Sequence, residues 1–301
     1  MNNGPIKHTT GFTLIELLIA MALIGIVLLI LFNSVQGTTS AATQTNTRSE
    51  LQQELLNAQR IVASRVQEAL YVYPEGQKFD FGSSPLRKNP LDNSGTWITG
   101  TSPILAMILP PEKSEILCGA GANNKGCYRF FAYYPVKRSG WVGGTTNSNN
   151  PGADAANDSS VWVLAEYRDF YAGKPTFGTN GFAAYPTPDS STKAYILADY
   201  ITPTGTTAAP NAVYTMFEYS IPNPLSIIPG APVDGPGWHN PAVPCTPAPC
   251  LADNPYVSGV TINLATQRKV GSSLTRLPGG TGTYTLAAAP QNIGVSLGTS
   301  P

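Results

Sequence analysis

The hydrophobic pattern along the chain changes period after about its first quarter. From Phe12 to Phe32 the residues are apolar or neutral with one ionisable exception, Glu16. A run of that length matches the roughly 20 residues a helix needs to cross a bilayer. A helical period then continues, because Leu51, Leu55, Ala58, Val62, Val66, Ala69 and Tyr73 recur at steps of three and four and share one face. Arg48, Glu50, Glu54, Arg60, Arg65 and Glu68 fall mostly between them and are expected to face solvent or neighbouring subunits. Pro74-Glu75-Gly76 ends the pattern. No proline interrupts Phe12 to Tyr73, so one helix of about 60 residues and about 90 Å is allowed, weakest at Gly37-Thr38-Thr39-Ser40.

From residue 75 the period shifts toward strands. The expected strands are Ile104–Leu109, Tyr128–Val136, Val161–Phe170, Ala194–Ile201, Ala212–Ile221, Val257–Ala265 and Tyr284–Ala288, each rich in Val, Ile, Tyr or Phe and bounded by Gly, Pro, Asn or Asp. The apolar face of Leu51 to Val66 needs cover, and a sheet packed on it supplies that cover economically. The expected fold is therefore α+β: a long N-terminal helix, membrane-spanning and then amphipathic, packed on a mostly antiparallel sheet with long loops. The expected divisions are a leader at 1–11, the membrane-spanning half of the helix at 12–32, its amphipathic half at 33–73, and a β-rich globular domain at 74–301.

Composition sharpens this picture. Charged residues make up 12% of the chain, with 29 glycines and 27 prolines, against a usual charged share of about 25%. That combination reads as a loop-rich β protein on the cell surface, and the 42% hydrophobic content supplies a core. The 18 basic and 18 acidic residues cancel, so no global charge draws in nucleic acid, and direct nucleic acid contact is not expected. A local excess of Arg268, Lys269 and Arg276 without acidic residues follows Asn254; it reads as a solvated strand edge. Trp141 to Ser160 reads as a flexible Gly/Asn/Asp-rich loop, since Asp154 and Asp158 lack the spacing of a calcium loop. Pro222 to Tyr256 carries ten prolines and is long enough to be functional in its own right.

Glu16 is the residue whose placement demands an explanation. A carboxylate inside an apolar membrane helix is costly and normally has a partner, yet no Lys, Arg or His follows it within the run. In an intact chain it would snorkel to the interface. If the chain is cut after Gly11, the new α-amino group of Phe12 on one subunit can pair with Glu16 of a neighbour. The stretch Gly11-Phe12-Thr13-Leu14-Ile15-Glu16, after a short polar leader and before an unbroken apolar run, resembles the class III signal of type IV pilins and type II secretion pseudopilins. The resemblance implies cleavage after Gly11 by a prepilin peptidase, N-methylation of Phe12, and Glu16 as the glutamate that guides assembly. Gly25 matches a helix-softening glycine of that family, while Asn33 stands where many members have proline. An ordinary secretory signal with cleavage at Ser40-Ala41-Ala42 is the rival, but secretory apolar regions run about 7 to 15 residues.

Further along, Tyr195-Ile196-Leu197-Ala198-Asp199, Met216-Phe217-Glu218-Tyr219 and Val257 to Leu264 resemble the C-terminal half of PilW-type minor pilins and J-type pseudopilins, with Gln291-Asn292 near their frequent Arg-Asn. The resemblance implies a minor filament subunit that joins other pilins through its N-terminal helix. It would reside in the inner membrane before assembly and then in a surface filament or periplasmic pseudopilus, serving twitching, DNA uptake or secretion. The alternative keeps the anchor but places a binding or adhesion function in residues 222–256.

Chemistry is sparse. Of the two histidines, His8 would leave with the leader and His239 sits among prolines, so no His pair for a metal remains and a Ser-His-Asp site is not expected. Gly294-Val295-Ser296-Leu297-Gly298 matches a nucleophile elbow but lacks the helix that should follow. No enzyme activity, cofactor or metal is expected. Cys118/Cys127 and Cys245/Cys250 form two close pairs, expected as disulfides in an exported domain; their spacings fit poorly with zinc knuckles.

Overall fold

A computed structural model describes residues 13–119, 124–145, 149–175, 183–186, 194–204, 215–220 and 257–291. The chain divides into two compact units, Met1–Ser49 and Glu50–Pro301. Helix α1 runs Leu14–Glu68. It stops five residues short of the expected Tyr73, because Tyr71–Val72 forms strand β1 instead. The aromatic and β-branched pair aligns with Ile108 and Met107, and the flanking amides of Leu70 and Tyr73 donate to Ile108 and Ala106 carbonyls at 2.8 and 3.0 Å. Ala69 and Tyr73 are buried as the helical period required, but they lie outside the helix, on either side of β1.

The remaining elements in order are β2 (Lys78–Asp80), β3 (Thr96–Ile98), β4 (Leu105–Leu109), β5 (Arg129–Lys137), α2 (Arg138–Gly144), β6 (Trp162–Phe170), β7 (Ala194–Ile201), β8 (Phe217–Ser220), β9 (Gly259–Leu264), β10 (Thr266–Val270), β11 (Ser273–Leu277) and β12 (Tyr284–Ala288). A seven-stranded sheet has the order β1-β4-β5-β6-β7-β10-β11, a three-stranded sheet β12-β9-β8, and β2 pairs with β3. Every named pairing is antiparallel. The fold is thus α+β.

Strand β5 shows how alternation builds two cores on one sheet. Phe131 and Tyr133 point to the face carrying the second half of α1, and they share a core with Leu55, Ala58, Val62, Val66, Leu105, Met107 and Leu164. Val260, Ile262 and Leu264 of β9 close this core. Gln59, buried in α1, ties the helix to the smaller sheet by donating its amide to the Ile262 carbonyl (3.1 Å) and the Tyr284 carbonyl (2.6 Å). Phe130, Ala132, Tyr134 and Val136 point the other way, into an aromatic core under β2 and β3. There Phe81 stacks on Tyr167 at 5.1 Å, and Trp97 meets Tyr134 at 4.9 Å while its indole N–H donates to the Arg87 carbonyl. Two-sided burial explains why β4 and β5 read as near-continuous apolar runs.

Candidate functional site

The first turn of α1 contains a reciprocal cap. The backbone N–H and hydroxyl of Thr13 both donate to Glu16 Oε2 at 2.9 Å, and the Glu16 N–H donates to Thr13 Oγ1 at 3.4 Å. Thr-x-x-Glu is the capping-box pattern, which satisfies orphan donors at a helix start. The same carboxylate also complements the positive end of the helix dipole. Glu16 therefore has a partner within its own chain. Gly11 and Phe12 lie outside the described residues.

Behind the cap, every large apolar residue from Leu14 to Val35 is more than half exposed. These 22 positions rise about 33 Å as a helix, close to the roughly 30 Å hydrocarbon thickness of a bilayer. Such a surface is stable only against lipid or other helices. Beyond it the helix is held by weak formers: Thr38, Thr39, Thr43 and Thr45 turn their hydroxyls back onto carbonyls three or four residues earlier, a habit that slightly destabilises and bends helices.

The globular domain holds a second polar constellation, which sequence reasoning missed. Arg138 opens α2 with its side chain 1% exposed. Its Nε donates to Asp199 Oδ1 at 2.9 Å, Nη2 donates to Asp199 Oδ2 at 3.0 Å, and Nη1 binds Asp158. Tyr200 lies under both Arg138 and Arg268, at 4.9 and 4.5 Å from guanidinium to ring centre, and adopts φ +54°, an uncommon conformation for a bulky residue. Its hydroxyl donates to Asp154 at 2.9 Å. Glu54 of α1 accepts the Asp199 N–H at 2.6 Å. Burial disfavours the charged form of Arg138, but its bonds to Asp199 and Asp158 outweigh that and hold the group above the ordinary arginine value. Burial pushes the Glu54 carboxyl above its usual range, the nearby Asp199 charge adds to the shift, and the Asp199 N–H and Arg268 oppose it.

This geometry corrects the reading of residues 141–160 as a plain flexible loop. Its first part is the end of α2, and Asp154 and Asp158 are fixed by Asn157, Tyr200 and Arg138. Among the described residues no group of three or more His, Cys, Asp or Glu is placed to hold a metal. Arg268 and Lys269 lie on β10 and Arg276 on β11. A disulfide joins Cys118 to Cys127 with Cα atoms 4.5 Å apart. Cys245, Cys250, His8, His239 and Ser296 lie outside the described residues, as does the segment 222–256.

A capped helix start, an apolar helix long enough to cross a membrane, and a β-rich domain follow one another along the chain. Residues 6–32 match the family model described as the prokaryotic N-terminal methylation motif. That match, confined to the N-terminal segment, supports the type IV pilin and pseudopilin family and a pilin-like precursor. It implies processing by a prepilin peptidase, assembly with other pilins, and membrane anchoring with an extracytoplasmic domain. Searches of the curated proteins and of the solved structures each gave no match.

Proposed function

We propose that the chain is a minor subunit of a type IV filament or pseudopilus, cleaved after Gly11, N-methylated at Phe12, and set in register by Glu16. The observation that carries this reading is the methylation motif over residues 6–32 placed on a helix whose apolar surface is bare. Apolarity alone drives little association among helices in lipid, so polar contacts and packing must order them. The Phe12 ammonium of one subunit and Glu16 of its neighbour supply such a contact, and an incoming helix neutralises its buried charge at one axial offset. Before assembly the Thr13 donors satisfy the same carboxylate, which lowers the cost of waiting in the membrane. The subunit is structural and has no catalytic role. A minor place in the filament follows from the size of the domain and its long loops, which would be hard to repeat at every lattice position.

N-terminal mass spectrometry of protein from its native host tests the proposal. The expected mature chain begins with N-methylated Phe12. A chain beginning at Thr43, the product of ordinary signal cleavage after Ala42, would overturn it.

A further inference from the structure

Strand β11 ends the seven-stranded sheet, and among the described residues its outer edge has no strand partner. Gly271, at φ +60°, opens the two-residue turn between β10 and β11, the position glycine favours in a tight hairpin. The register pairs Val270 with Ser273, Lys269 with Leu274, Arg268 with Thr275 and Gln267 with Arg276. Residues flanking a two-residue turn exchange hydrogen bonds, and alternate pairs beyond them do not. The backbone groups of Leu274 and Arg276 therefore point outward from β11, as those of Gln267 and Lys269 point outward from β10.

The two edges of the hairpin are treated differently. On β10 the outward groups of Lys269 are satisfied by a side chain that imitates a strand: the Lys269 N–H donates to Asn157 Oδ1 at 2.7 Å, and Asn157 Nδ2 donates to the Lys269 carbonyl at 3.0 Å. On β11, among the described residues, the outward N–H and C=O groups of Leu274 and Arg276 meet no partner. β11 carries no proline or bulge to blunt the edge, and its one charged residue, Arg276, turns its guanidinium onto the carbonyls of the following loop. Leu274 is instead 63% exposed.

Charge selects the kind of strand. Lys269 and Arg276 lie on the same face of the hairpin as Leu274, and neither has a carboxylate partner among the described residues. Arg276 spends its guanidinium on the Pro278, Gly280 and Gly282 carbonyls, which leaves its charge uncompensated. Residues 257–291 contain no Asp or Glu. A nucleic acid would answer the cations but not the row of backbone donors and acceptors, nor Leu274.

We propose that the outer edge of β11 is a docking edge for an extended, acidic segment of a partner protein, which adds to the sheet as an eighth strand. Main-chain bonds to Leu274 and Arg276 supply affinity. Acidic side chains beside Lys269 and Arg276, with an apolar one over Leu274, supply selectivity. The inference stands apart from the reading of the N-terminus.

The test uses the full chain in detergent and a fluorescein-labelled octapeptide of alternating valine and glutamate, followed by anisotropy. Leu274→Pro is the decisive variant, because it removes an outward N–H and no ladder bond. It is expected to weaken peptide binding by about tenfold through the lost bond and the blocked approach. Lys269→Glu is expected to weaken binding several-fold and to favour a valine–lysine peptide, and it decides the matter if Leu274→Pro does not fold. No binding of the glutamate peptide to wild type, equal binding of both peptides, undiminished binding to Leu274→Pro, or displacement by oligothymidylate would each overturn the proposal.

Discussion

Replacing Arg138 by Met should be among the most damaging single substitutions in the globular domain. The side chain is 1% exposed and is engaged by the carboxylates of Asp199 and Asp158, themselves only 10% and 20% exposed. Methionine fills similar volume, so the loss is electrostatic rather than steric. Removing one partner of a buried pair costs about 3 to 5 kcal/mol, because the other charge remains without compensation. Asp199 keeps one donor, the Tyr200 N–H at 2.7 Å, and Asp158 can hydrate, so the lower end, about 3 kcal/mol, applies. For a domain of roughly 250 residues that loss lowers Tm by about 6 to 12 °C.

Circular dichroism melting of the detergent-solubilised full chain reads this shift, and a second substitution isolates its cause. Asp199→Asn in the Arg138→Met background removes the stranded charge while keeping an acceptor, and should recover more than half of the loss. Arg138→Lys keeps the charge but cannot engage both oxygens of Asp199 and still reach Asp158, and should fall between. If Arg138→Met costs less than about 1 kcal/mol, or if Asp199→Asn gives no recovery, the buried charge is not what the network balances.

The disulfide between Cys118 and Cys127 spans a sequence separation of 9, and the loop-entropy relation gives about 2.7 kcal/mol for its loss. Cys118→Ser with Cys127→Ser should therefore lower Tm by roughly 8 °C, and a melt unchanged by reductant would contradict that. Glu54 titrates higher in the folded chain than its ordinary value of 4.5. Its contribution is accordingly full below the unfolded pKa and is lost as pH rises through the folded one. Glu54→Gln keeps an acceptor for the Asp199 N–H, so the Tm difference between variant and wild type should grow more positive from pH 4 to pH 7; a constant difference would refute the assignment. At the N-terminus, Glu16→Gln retains a cap acceptor for Thr13 without charge. If the charge sets register, Glu16→Gln and Glu16→Ala should both insert into the membrane and both fail to enter sheared filaments, whereas normal incorporation of Glu16→Gln would reduce Glu16 to a helix cap.

What could be read in advance depended on how local the cause was. Strands β4 to β7, β9 and β12 were legible because each is an apolar or alternating run between turn residues, and Ala194–Ile201 and Tyr284–Ala288 match to the residue. The end of α1 misled because Ala69 and Tyr73 continue a step of four and are indeed buried; periodicity reports burial, while the partner strand β4 decides the backbone geometry. The hairpin β10–β11 left little signal, since Gln267, Arg268, Lys269 and Arg276 break any apolar alternation and β10 is held by the side chain of Asn157, 112 residues away. The Arg138 network was hidden for the same reason, with Asp199 61 residues distant. The Thr13–Glu16 box was fully local, a Thr-x-x-Glu before an apolar run, yet the cost of a charge in lipid drew attention first to a partner on another chain. Both Thr13 donors act on one oxygen, Glu16 Oε2, so the proposed inter-subunit ion pair would share its carboxylate with the cap. Under that proposal, whatever part of the cap is lost on docking subtracts from the free energy the next subunit would gain from Glu16.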